Sequence, residues 1–106
     1  MTVLRVYRKG KLYTGFECKG HSGYGEAGSD IVCAAISTGV EFCINCGEQI
    51  DHAPLQLEVD QEEASIKCVC SQPNPQFSKH IEILIELGQS IADEYAMYFN
   101  LEIMEV

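Results

Sequence analysis

A chain of 106 residues is long enough for one hydrophobic core and is read as a single domain over 1–106. Apolar residues make up 46% and charged residues 22%, which excludes an intrinsically disordered chain. The net charge of -9 excludes a surface built to grip nucleic-acid phosphates or anionic membrane; it suits a basic protein partner, or simply keeps the protein soluble.

Residues 2–8 (TVLRVYR) and about 11–18 (KLYTGFEC) flank Lys9-Gly10 and predict a β-hairpin. Thr2 to Arg8 alternates apolar and polar residues, so no secretory signal is expected there. No apolar run is expected to cross a bilayer. These readings point to a cytoplasmic protein. Its six cysteines, Cys18, Cys33, Cys43, Cys46, Cys68 and Cys70, are then thiols rather than three disulfides.

Lys19 to Ser29 holds Gly20, Gly23, Gly25 and Gly28 and reads as a mobile loop. A helix follows from about Asp30 to Gln49, with Asp30 or Ser29 as N-cap. Val32, Ile36, Gly39, Cys43, Cys46 and Ile50 form its apolar stripe. Pro54 opens a strand with Leu55, Leu57 and Val59 on one face. After a turn at 60–62, Ala64, Ile66, Cys68 and Cys70 line one face of a return strand. Pro73-Asn74-Pro75 breaks the chain, and Ser78 is expected to cap a second helix running to about Tyr98. Its stripe is Ile81, Leu84/Ile85, Gly88, Ile91/Ala92, Tyr95 and Phe99, and a last strand lies near Leu101 to Met104. The order β-β-α-β-β-α-β predicts an α+β fold in two layers: one largely antiparallel five-stranded sheet with two helices packed on one face. Gly39 and Gly88 each interrupt a helix stripe at its middle, and a close helix crossing is expected at both.

Cys33 falls in the first turn of the first helix, near unpaired backbone N–H groups and the positive end of the dipole. Such a place favours the thiolate, the nucleophilic form. The same N–H groups are expected to hold the oxyanion of an acyl-transfer intermediate. His21 stands twelve residues earlier, on a loop that can fold back over the helix start. Histidine can take the thiol proton and return it to a leaving amine. Taken alone, a Cys and a His at this spacing are more often unrelated than paired.

Asp30 has two readings, orienting His21 or capping the helix, and the cap is preferred. Ser37 lies one turn beyond Cys33, where its hydroxyl supports the site or, more simply, bonds back to the helix. Cys43-Ile44-Asn45-Cys46 and Cys68-Val69-Cys70 offer four sulfurs for zinc. Their placement deep in a helix and on a strand favours core packing instead, so no metal or cofactor is expected. His52 and His80 are read as surface residues without partners. Glu82, Glu86, Asp93 and Glu94 are read as a solvated helix face.

Gly20-His21-Ser22-Gly23-Tyr24, followed by Gly28-x-Asp30-Ile31-Val32-Cys33-Ala34-Ala35-Ile36-Ser37, resembles the signature of the ribosomal-processing cysteine protease family (Prp). The likeness extends to length and to the order of elements. It implies an endopeptidase that removes a short N-terminal extension from a large-subunit ribosomal protein, the twenty-seventh. It further implies His21 as base, Cys33 as nucleophile, a homodimer, and no metal. Ser22 stands where alanine is common in the family, a change not expected to abolish activity. Two rival readings stay open: a non-catalytic acidic dimer that binds a basic ribosomal protein, and a small zinc-binding module.

Overall fold

Alternating side chains make the first two segments an antiparallel hairpin, β1 (Thr2–Lys9) and β2 (Leu12–Lys19). The turn needs Gly10, whose φ of 64° lies in the left-handed region. The computed structural model describes residues 1–26 and 28–106; Ala27, in the glycine-rich loop, lies outside the described residues. The remaining elements are α1 (Ile31–Gln49), β3 (Leu55–Asp60), β4 (Ser65–Cys70), α2 (Pro75–Glu94) and β5 (Phe99–Glu105).

The sheet runs β3-β4-β2-β1-β5. Three of its pairings are antiparallel, but β5 returns parallel to β1, so the sheet is mixed. Register places Leu4 opposite Cys18 and Val6 opposite Phe16, and Phe16 in turn opposite Cys68. All five side chains are buried on the face that carries both helices. Phe77, Ile81, Leu84 and Ile91 of α2 and Val32, Ile36, Val40 and Ile44 of α1 close the core from above.

Several boundaries differ from expectation. Asn74, not Ser78, caps α2: its Oδ1 accepts the Phe77 N–H at 2.9 Å, with Pro75 opening the helix. Ser78 is buried inside the helix and its Oγ accepts the Tyr13 N–H at 2.9 Å, tying α2 to β2. The second helix stops at Glu94, where the Tyr95 N–H bonds the Ile91 carbonyl, and β5 begins at Phe99. Ile50 is exposed because it is the C-cap of α1, past the last buried turn; Val40 and Gly47 take up the stripe. Leu57 and Val59 are exposed because β3 is an edge strand that the helices leave largely uncovered. By length and composition α1 is apolar enough to span a membrane, contrary to expectation, yet its buried side packs in the core of this fold.

His80 also has a partner that its spacing did not disclose. Its Nδ1 lies 2.6 Å from Oδ2 of Asp51, whose side chain is fully buried just past α1. His52 is exposed in the connecting loop.

The two helix glycines part company. A side chain at Gly39 would meet Leu87 and Leu84 of α2, whereas one at Gly88 would meet Leu4, Leu101 and Phe99. Gly39 therefore faces the other helix and Gly88 faces the sheet, so the expected crossing at both glycines is not found. At Gly15 in β2 an added Cβ would lie 2.4 Å from the backbone oxygen of Cys68, which cannot step aside. The sole intruder near 2.3 Å at Gly39 is a leucine methyl, which can. Gly15→Ala is expected to lower stability by about 1–3 kcal/mol through overpacking. Gly39→Ala is expected to be near neutral, since about 1 kcal/mol of helix propensity offsets the leucine's shift. Urea unfolding of both variants checks the ranking, and equal losses would contradict it.

Candidate active site

Asp30 has the extended backbone of an N-cap, φ -79° and ψ 105°. Its Oδ1 accepts the N–H groups of Val32 and Cys33, each at 3.0 Å. Its Oδ2 accepts the Ser22 hydroxyl and, at 3.3 Å, the Gly25 N–H. The Ser22 hydroxyl above all, and then the Cys33 N–H, hold this carboxyl down at about 2. One carboxylate thus joins the helix start to the loop that precedes it. Among the described residues Asp30 makes no hydrogen bond to His21, so its observed role is the cap.

The same bonds revise a second expectation. The Val32 and Cys33 N–H groups are taken by Asp30 Oδ1, and the Ala34 N–H by the Asp30 carbonyl at 3.0 Å. The first-turn amides of these three residues are therefore already engaged and are not open donors for an oxyanion.

Cys33 is half-buried, and the other five cysteines are buried. Burial pushes the thiols of Cys18, Cys43 and Cys68 up to about 12, which keeps them protonated and inert. The Cys33 sulfur accepts the Ser22 N–H at 3.3 Å, and Thr2 Oγ1 lies 4.0 Å from it. Thr2 is buried and its hydroxyl donates to the Gly20 carbonyl at 3.0 Å, so the first residue of β1 underlies the site. Its sequence signal was faint: a hydroxyl at the start of an apolar strand.

The loop over Cys33 is shaped by its glycines. Gly20 has φ 96°, and a Cβ there would lie 2.5 Å from the Met1 carbonyl oxygen. Gly23 likewise holds a left-handed φ of 78°. Tyr24 stands edge-on to Tyr95 and Tyr98, with ring centroids 5.3 and 5.2 Å apart, which fastens the loop to the end of α2. Gly25 and Gly28 line the cavity beneath.

Two cavities meet at the thiol, and His21, Cys33 and Ser37 border both. The first, about 570 Å³, opens under the glycine loop. The second, about 380 Å³, runs between α1 and the β3–β4 end of the sheet and is walled by Ile36, Val40, Val59 and Ile66. The His21 side chain is exposed, and among the described residues no hydrogen bond joins it to Cys33. Ser37 bonds neither the thiol nor the helix backbone there; its neighbour Thr38 bonds back instead, to the Ala34 carbonyl at 2.8 Å. An apolar groove of about 630 Å³ lies between α1 and α2 and reaches this region only at Ala34. Cys43, Cys68 and Cys70 pack in the core cluster, and Cys46 is buried on the same helix as Cys43 and lines the groove between α1 and α2. Among the described residues no group of three or more His, Cys, Asp or Glu side chains is placed to hold a metal ion.

Residues 1–100 match the family model of cysteine protease Prp, and the chain belongs to that family of cysteine proteases. No curated protein matches it. Among solved structures, the essential ribosomal processing protease Prp of S. aureus with a covalently linked product peptide is similar at 20% identity, with a TM-score of 0.89 over 98% of this chain and 100% of that one. The S. aureus enzyme with a substrate peptide gives 19% identity and a TM-score of 0.84 over 98% and 100%. SMU.848 from Streptococcus mutans gives 23% identity and 0.84 over 100% and 96%. These likenesses are of fold.

A carboxyl held at about 2, against an ordinary value of 3.8, stabilises the folded state fully above the ordinary value and loses that effect as pH falls through about 2. Asp30→Asn caps the helix equally well but cannot ionise. The stability gap between wild type and this variant is therefore expected to narrow as pH drops from about 5 to about 2. Denaturant midpoints across that range check it; a constant gap would contradict the assignment.

Proposed function

We propose that this cysteine protease is an endopeptidase that removes a short N-terminal extension from a large-subunit ribosomal protein, the twenty-seventh, with Cys33 as nucleophile and His21 as base. The observation that carries the reading is the contrast among six thiols. Five are buried, while Cys33 alone stands half-open at a helix start, in two cavities that His21 shares. The S. aureus relatives are ribosomal processing proteases holding peptides, which supports the same substrate class here. A net charge of -9 suits a basic ribosomal protein.

In the proposed cycle His21 takes the Cys33 proton as peptide binding brings the loop onto the helix start. The thiolate then attacks the scissile carbonyl carbon, and the resulting tetrahedral intermediate collapses as the imidazolium gives its proton to the leaving amine. Water, deprotonated by His21, attacks the thioester; the acid product leaves and the thiol is restored. The positive end of α1 favours the negative charge carried by the sulfur and then by the oxyanion.

The reading includes a cytoplasmic enzyme, supported by six free thiols. It also includes a homodimer, supported by the uncovered apolar residues Ile31 and Phe42 on α1 and Ile83 on α2. Phe42→Glu is expected to shift the protein from dimer to monomer in light scattering, and an unchanged mass would count against that face.

Mass spectrometry of the candidate ribosomal protein after incubation tests the reaction. Wild type should shorten it. Cys33→Ala should leave it intact, and His21→Ala should slow cleavage by about 10²–10⁴-fold, the usual worth of a general base. Cleavage by Cys33→Ala at the wild-type rate would end the reading. Tight binding with no mass change would replace it with the binding-module alternative.

A further inference from the structure

Ser22 is buried although both of its neighbours, His21 and Gly23, are exposed. Its hydroxyl works in two directions: it donates to Asp30 Oδ2 and accepts the Tyr24 N–H at 3.1 Å. Its own N–H points at the Cys33 sulfur, 3.3 Å away. The hydroxyl therefore fixes the loop backbone at the one described residue whose amide reaches the thiol, and Asp30, the partner it uses, is itself fixed by the first turn of α1.

Resting on the proposed role of Cys33, we infer that Ser22 is a positioning residue. Its side chain, through Asp30, holds its backbone N–H on the sulfur and so stabilises the thiolate that attacks the peptide. An alanine at this position removes the bond to Asp30 and leaves the amide to drift with the loop. This gives Ser22 a part in the chemistry of this chain beyond filling a family alanine position. His21, next to it, is carried on the same anchored segment.

Two measurements on Ser22→Ala test the inference. The rate at which iodoacetamide alkylates Cys33 near neutral pH reads the thiol without any peptide, and the five buried thiols stay out of the reaction. That rate is expected to fall about tenfold, as is appropriate for one hydrogen bond to a charged group. Peptide cleavage should show a similar fall in kcat with KM within about twofold. Wild-type alkylation in Ser22→Ala would overturn the inference, even if cleavage fell. Slower alkylation with no peptide cleavage by wild type would leave Ser22's role standing and defeat the protease substrate reading instead. Should Ser22→Ala fail to fold, wild type decides: the Ser22 amide proton resonance is expected to move when Cys33 is alkylated, and a static resonance would overturn the inference.

Discussion

The Asp30 carboxylate is the joint on which the site depends. Four donors converge on its two oxygens, two from the first turn of α1 and two from the glycine-rich loop. A helix start must satisfy its leading N–H groups somehow. Here the group that does so also reaches back across the loop. The cap therefore has a second effect: it sets where the loop amides lie relative to Cys33. Loss of that joint would leave the thiol on a rigid helix but detach the segment bearing His21.

The sheet supplies the base for this joint. Thr2 opens β1 under the thiol and ties the Gly20 carbonyl, so the loop is held from below as well as from the helix. Tyr24 adds a third hold through Tyr95 and Tyr98, beyond the end of α2. The apolar cavity running up to Cys33 opens between α1 and the β3–β4 end of the sheet, where Val59 and Ile66 wall it.

Burial sorts the cysteines. The same side chain serves as a small apolar filler at Cys18, Cys43 and Cys68, where desolvation keeps it a protonated thiol. Among the described residues, Cys33 alone combines access with a donor on its sulfur. The separation is one of environment rather than of chemistry.

Local pattern alone determined most of the scaffold. Period-2 and period-3.6 runs, Gly10 at the hairpin turn and Asp30 before an apolar helix marked the seven elements in order. The Gly-His and Asp-x-x-Cys blocks marked the candidate site. Those signals act over a few residues, so they survive in a linear reading. Tertiary structure decided the rest, because it concerns residues far apart in the chain. Ser22 and Thr2 at the sulfur, Tyr24 on Tyr95 and Tyr98, and His80 on Asp51 depend on how the helices dock, and no spacing encodes that. Asn74 displaced Ser78 as the cap because Ser78 was drawn into the core by the Tyr13 amide. The Val32, Cys33 and Ala34 amides were lost as oxyanion donors for a related reason. A cap legible in the sequence does not disclose how completely its carboxylate occupies the groups around it.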